Sequence, residues 1–535
     1  HSNPTPVGFF FSTPPPSIRE TMMTAISLKA FVRGRLPGTF PFFLATLLLA
    51  TSISFLPQAG GGRFSFHDGH RLAQLVLLLA GLALAAWRLA RHPSLLPSPG
   101  RTPACLLAAF FVLGLCSSLL AWSVRHALME WTVLLLLVVL AWVIAGEVRT
   151  NAKAALDWLL GLCGLGCGLY ALASLSVHLA GLVLGIHPAP SDLFPGFDNH
   201  RFFNHVQTAT LPLLGLLAVR ARQRAGLPAP GWGSLAALAW RYQPAIAGIL
   251  LAAWWMLLFA SSGRGTLVGV GAGIALAWLW RRRHAAQWCL AMAGTGIAGF
   301  LAYLALYRLL PGLMGRAPFS LLSNTIERTL ANPGSGRMAL WESAWQMAAG
   351  EPWLGAGPVH FAHFGRDILA GAHPHNWVLQ IAAEWGVPAL LCLCAILVLA
   401  WRALLRAGKT LSGGDAGNQA VLAAWLGTFA AIAIDGLVSG LIVMPTSQLW
   451  IVIFAGYAWG WTMSLSPAAA TVPRRASAAR RACLVLCAPA FAALLAWGLW
   501  PELSDLRAHE QASLSQNKAL GMEALFPRIW RAGNF

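Results

Sequence analysis

The chain has 535 residues, 57% of them hydrophobic and 10% charged, with a mean hydropathy of +0.63. A soluble domain of that length does not carry so little charge, so the composition predicts an all-α, polytopic integral membrane protein. The formal net charge of +19 would suggest nucleic acid in a soluble chain; here its distribution along the sequence accounts for it with no nucleic-acid partner.

Residues 1–22 are rich in proline and are expected to form a disordered leader or an expression remnant. A membrane span needs about 20 apolar residues. Between residues 23 and 306 such runs lie near 39–56, 72–87, 104–122, 127–145, 155–185, 206–220, 244–260, 266–280 and 285–306. Only "SSGRG" separates the runs 244–260 and 266–280, which predicts a tight helical hairpin. The connection 307–376 is too long to be a simple link. Within it, "GSGRMALWESAWQMAAGEPW" keeps helical spacing at Met338, Trp341, Ala344, Trp345 and Ala348 after a Pro-Gly-Ser-Gly break. Runs at 377–401, 420–440, 449–465 and 483–500 complete a set of about 12–13 transmembrane helices, followed by a tail, 501–535. The nine cysteines lie inside or at the ends of apolar runs and read as small hydrophobes.

With residues preceding the first span placed in the cytoplasm, alternation puts most of the 37 Lys and Arg residues in short cytoplasmic connections, including "RARQR" and the "RRR" at 281–283. The positive-inside rule then fixes the orientation. It sends the 307–376 connection and the 501–535 tail to the periplasm of a bacterial inner membrane.

Arginines are scarce on that outer face, which makes three of them informative. Arg264 sits at the tip of the hairpin, Arg337 at the start of the helix in the long connection, and Arg201 where "FDNHRFFNHVQT" re-enters the membrane. Snorkelling to lipid headgroups is the bland reading. The alternative is a phosphate site, since guanidinium binds phosphate bidentately and turns that open helices present free N–H groups. "GAHPHNW" adds His373, His375 and Asn376, with Pro374 stiffening the turn and Asn376 able to cap the following helix. A metal site using His360, His363, His373 and His375 competes, but no Asp or Glu pair accompanies them, and no metal or other cofactor is assigned. Glu384 and Asp435 fall within spans and are expected to make helix-packing hydrogen bonds. Phosphate-binding cations beside an imidazole suit transfer from a diphosphate-linked lipid. The cations stabilise the leaving diphosphate and the histidine takes the acceptor's proton.

At "FASSGRGTLVG" (259–269), "GRMALWESAWQMAAGEPWLGAGPVHF" (336–361) and "HPHNWVLQIAAEWGVPALL" (373–391), the chain resembles the O-antigen ligase and polymerase superfamily of bacterial envelope glycosyltransferases. "DNHRFFNHVQTATLPLL" (198–214) is similar to the segment that precedes the arginine hairpin there. The resemblance covers roughly residues 195–405. It implies an inverting, metal-independent transfer of glycan from undecaprenyl diphosphate in a fold related to the GT-C class, with His375 as base or acceptor-orienting residue. Arg264 and Arg337, with Arg201 beside them, would hold the diphosphate, and His373 and Asn376 would position acceptor or loop. A lipid A-core sugar is the first acceptor it implies, before a pilin-like protein or a growing glycan. A polyprenyl-lipid flippase, in which the arginines bind a headgroup and nothing is cleaved, is the reading from another class. Against it, the arginine and histidine motifs have no second copy of the kind that repeat-built transporters show.

Overall fold

The computed structural model describes residues 40–56, 64–91, 96–97, 99–225, 234–331, 336–365, 371–411, 415–465, 478–522 and 524–535. The 1–22 leader lies outside the described residues.

Every regular element described is helical. Those longer than six residues are, in chain order, α1 (Phe40–Phe55), α2 (Phe66–Arg91), α3 (Arg101–Leu120), α4 (Val124–Leu184), α5 (His200–Arg224), α6 (Ser234–Ser261), α7 (Arg264–Tyr303), α8 (Leu321–Ala331), α9 (Arg337–Gly350), α10 (Trp377–Trp385), α11 (Val387–Thr410), α12 (Ala416–Asp435), α13 (Pro445–Ser464), α14 (Ala478–Leu503) and α15 (Leu506–Ala519). Among the described residues nine helices are long and apolar enough to cross a membrane, so the chain is a multi-pass membrane protein.

Two of the nine each hold two of the expected runs. The 61 residues of α4 would measure about 90 Å if straight, roughly three times the hydrocarbon thickness. Non-helical backbone at Asn151 (φ −133°, ψ 40°) divides α4 into two legs, and Arg281 (φ −134°, ψ 25°) divides α7 in the same way. Both breaks fall at the basic connections where the sequence ends one run and begins the next. The runs 39–56 and 449–465 form α1 and α13.

One expected span is corrected. The run 377–401 is two helices, because Gly386 adopts φ +85° and Pro388 opens α11 just after it. A side chain at Gly386 would also strike the Trp353–Leu354 backbone that crosses there. The nine-residue α10 therefore lies apart from the span α11, and Glu384 sits in α10 rather than in a transmembrane helix.

Without a water-driven hydrophobic effect between helices, packing rests on close contact and satisfied polar groups. The fully buried Trp254 stacks edge-on against Phe55 of α1 and Phe203 of α5, at 5.5 and 5.3 Å between ring centroids. Its Nε1 donates to Thr210 Oγ1 at 3.1 Å. Gly269 lets α7 meet α12 backbone to backbone: an added Cβ would lie 2.7 Å from the Ala431 carbonyl oxygen.

Contacts between connections segregate by the side to which the charge pattern assigns them. On one face Arg88 pairs with Glu147 (2.8 Å), Arg224 with Asp157 (2.7 Å), and Arg281 donates to the Gly408 carbonyl (3.1 Å). On the other, the Ser123 amide donates to His360 Nε2 (2.9 Å), the His67 amide to Asp198 (2.9 Å), and Arg125 pairs with Glu502.

Candidate functional site

Four helices begin close together on that second face. α5 is capped by Asn199, whose side chain accepts from the Arg201 amide at 3.0 Å. α7 begins at Arg264, after the turn in which Ser262 takes φ +59° and the hairpin reverses. α9 begins at Arg337 after Gly336, at φ +73°. α10 begins after Asn376, whose Oδ1 accepts from the amides of Val378 (3.0 Å) and Leu379 (3.1 Å). Each of the three arginines thus stands in the first turn of a helix, where the dipole and the free N–H groups disfavour a cation and favour an anion. They are near enough to sense each other. Burial, and then the charges of Arg201 and Arg264, lower the Arg337 pKa, against the opposing pull of Asp435.

Asp435, at the last turn of α12, accepts from Thr208 Oγ1 (2.5 Å) and Thr266 Oγ1 (3.4 Å), and these hydroxyls lie 2.8 Å apart. It is the helix-packing hydrogen bonding expected of it, with an added consequence: a negative charge at the edge of the arginine cluster. Gly265 leaves room for this carboxylate, which a side chain there would strike.

The turn that carries the histidines is pinned on three sides. Trp341 Nε1 of α9 donates to the Pro374 carbonyl (3.0 Å). The Trp377 amide donates to Gly436 O and its indole to Ala433 O, both at 3.0 Å, fastening α10 to the end of α12 beside Asp435. His373 is buried, and a Cβ on Gly440 would run into its ring. The His375 amide donates to His373 Nδ1 at 3.3 Å, so that imidazole is neutral with its proton on Nε2, and the two rings lie 4.1 Å apart. His375 itself, half-buried, holds φ +55°, a left-handed conformation that costs a residue with a Cβ and that clusters at functional sites. Burial, and then the charges of Arg337, His205 and Arg201, pull its pKa down to about 3. It is therefore neutral at any pH near 7.

The structure thus brings Arg201, Arg264, Arg337, His373, His375 and Asn376 together from segments spread over 175 residues of sequence. It also adds His205, one helical turn after Arg201 on α5, buried and within electrostatic reach of His375 and Arg337. The i, i+4 spacing of Arg201 and His205 on an expected helix was the available signal. The other two histidines considered as ligands are elsewhere. His360 accepts from the Ser123 amide through Nε2 and donates to the Pro358 carbonyl (2.9 Å) through Nδ1; His363 stacks on Trp122 at 4.0 Å. Both hold the loop in shape.

Fold and site together define a polytopic membrane protein with a cationic seat at one end of its bundle, half enclosed by helix N-termini. Residues 247–394 match the family described as O-Antigen ligase (Wzy_C), so this segment of the chain is similar to that family. The match takes in Arg264, Arg337, His373, His375 and Asn376; Arg201, His205 and Asp435 lie outside it. No curated protein matches the chain.

Proposed function

We propose that this protein is an O-antigen ligase, transferring glycan from undecaprenyl diphosphate to a sugar hydroxyl of lipid A-core on the periplasmic face of the inner membrane. The observation that carries the reading is the placement of three arginines at three helix N-termini around a neutral histidine. Arg201 and Arg264 act on Arg337 as like charges and Asp435 as an opposite one, and a diphosphate is the ligand whose charge and oxygens match a cluster of guanidinium groups.

In the proposed step the acceptor oxygen attacks the anomeric carbon from the face opposite the phosphate. The C1–O bond to the diphosphate breaks, its electron pair passes to the phosphate oxygen, and the configuration inverts. Arg264 and Arg337 hold the diphosphate and neutralise the charge that grows on it, with Arg201 at the rim. His375 accepts the acceptor's proton. With its pKa pulled down to about 3 it is by itself a feeble base, since a useful catalytic pKa lies near the working pH. Burial is the larger cause of that depression and stays, but the arriving diphosphate offsets the Arg337 and Arg201 charges that add to it, so the donor raises the basicity of His375 in part. His373, which accepts a hydrogen bond from the His375 amide, holds the backbone that carries His375, and Asn376 fixes the start of α10. The fixed cations supply the electrostatic stabilisation that a divalent ion would supply in a metal-dependent transferase, so the reading includes no metal.

The test is purified protein in detergent with undecaprenyl-diphosphate glycan, EDTA, no nucleotide, and either lipid A-core or a pilin-like protein as acceptor. Glycan on lipid A-core is the expected product. Transfer to the protein acceptor alone would make it an oligosaccharyltransferase, and transfer restored only by a divalent ion would overturn the metal-independent step. Donor that binds but is never cleaved would leave a flippase.

A further inference from the structure

The segment Phe526–Phe535 lies outside the family match, yet it is built into the protein interior. Arg528 is 1% exposed. Its Nη2 lies 3.1 Å from Glu130 Oε1 of α4 and 2.7 Å from Glu384 Oε2 of α10, and Nη1 donates to the Ala372 carbonyl at 3.4 Å. In the orientation that its neighbours demand, the Gln380 carboxamide oxygen accepts from both guanidinium nitrogens at 2.8 Å. A second buried arginine, Arg71 of α2, grips the segment's backbone, donating to Ile529 O and to Arg528 O, each at 3.0 Å. The Arg531 amide donates to Asp68 (2.7 Å) and the Asn534 side chain to the Ala362 carbonyl (2.8 Å).

The partners of Arg528 lie at particular places. Gln380 and Glu384 are on α10, whose first turn directly follows His375 and the capping Asn376. Ala372 is the residue before His373. Glu130 belongs to the transmembrane wall, and Glu384 Oε1 in turn accepts from the Phe361 amide (3.2 Å). One guanidinium group therefore ties the wall, the body of α10 and the entry to the histidine turn, while Trp377 ties the start of the same helix to α12. A buried charge paired this way costs desolvation that an apolar side chain would not, so stability alone is a weak reason for it; geometric specification is a better one.

We infer that Arg528 is a positioning residue for the His373–Asn376 turn, and that residues 526–531 act as a strap holding that turn in register with the arginine seat. The inference rests on the reading of His375 as the base, and its test is arranged to fail separately from that reading. Wild-type protein, Arg528→Gln, Arg528→Lys and His375→Gln are compared by transfer kinetics and by hydrogen–deuterium exchange. Arg528→Gln is expected to lower kcat by about tenfold or more, with the donor KM changing by less than about threefold, because a small displacement of a catalytic group costs rate rather than binding. Exchange should accelerate in 371–380 and stay unchanged in α5 and α12. Arg528→Lys, which keeps the charge and one carboxylate contact, should recover part of both effects. If the Gln variant does not give monodisperse protein, the Lys variant decides by the same two readouts. Wild-type kcat with unchanged exchange overturns the strap, and so does exchange that rises across the whole protein. Should wild-type protein transfer nothing, the exchange arm still decides: acceleration confined to 371–380 upholds the strap while the ligase reading fails.

Discussion

Replacing His375 by alanine is expected to slow glycan transfer by at least about a hundredfold while donor lipid still binds, since general-base help is typically worth about 10²–10⁴ in rate. The turn that carries His375 is held by Trp341, Trp377 and His373, so the loss should be chemical rather than a collapse of the loop. His373→Ala should cost less, because its imidazole holds the His375 backbone amide and takes no proton from substrate. The pH dependence gives the prediction its sign. Burial and the nearby Arg337, His205 and Arg201 charges hold His375 at about 3, so the base stays neutral and kcat/KM should show no histidine limb between about pH 5 and 8. Once the diphosphate is bound the Arg337 and Arg201 charges are offset while burial persists, so the pKa rises in part and the acid limb of kcat should appear at higher pH than any in kcat/KM. In His375→Gln, which keeps a hydrogen-bonding group but accepts no proton, the limb disappears together with most of the rate. A Gln variant turning over near the wild-type rate would reduce His375 to positioning.

Arg264→Ala and Arg337→Ala are each expected to lower transfer by about 10²-fold, the scale of removing one preorganised charge stabiliser from a developing anion. Lysine should restore only part of it, because an ammonium ion keeps the charge and loses the bidentate fork. Arg201 is exposed at the rim, and its alanine variant should lose less. Thermal stability separates this account from a structural one. Arg337 stands in the first turn of α9 with two other cations nearby, so removing it relieves repulsion and should leave Tm unchanged or slightly raised. Near-normal transfer by both alanine variants would make them headgroup anchors.

Much of this site can be read from local sequence, because its parts are helix boundaries. "SSGRG" places Arg264 at a hairpin tip, "PGSGR" places Arg337 at a helix start, and "HPHN" places a capping asparagine after the histidines; each signal acts over four or five residues. What lies further apart is not written locally. The run 377–401 reads as one span because Gly386 and Pro388 interrupt an apolar stretch without making it polar, and only the crossing Trp353 backbone shows why the break is needed. The stripe on α9 is likewise ambiguous. Leu340, Ala344 and Ala348 turn inward, whereas Met338 and Trp345, which share the helical spacing, are 63% and 65% exposed. In a membrane protein an apolar face can look toward lipid as easily as toward the core, so periodicity finds the helix but not its inner side. Arg528 was the hardest to see. In sequence it is one basic residue of a polar tail, and its meaning depends on Glu130 and Glu384, which come from two other helices.

The most direct measurement of the central claim is equilibrium binding of lipid to the purified protein, comparing undecaprenyl diphosphate with undecaprenyl monophosphate. A seat made of three guanidinium groups and four helix N-termini predicts tighter binding of the diphosphate, by about tenfold or more, with the preference lost in an Arg264→Ala, Arg337→Ala double variant. Equal affinity for the two lipids, or a preference that survives in the double variant, would contradict it.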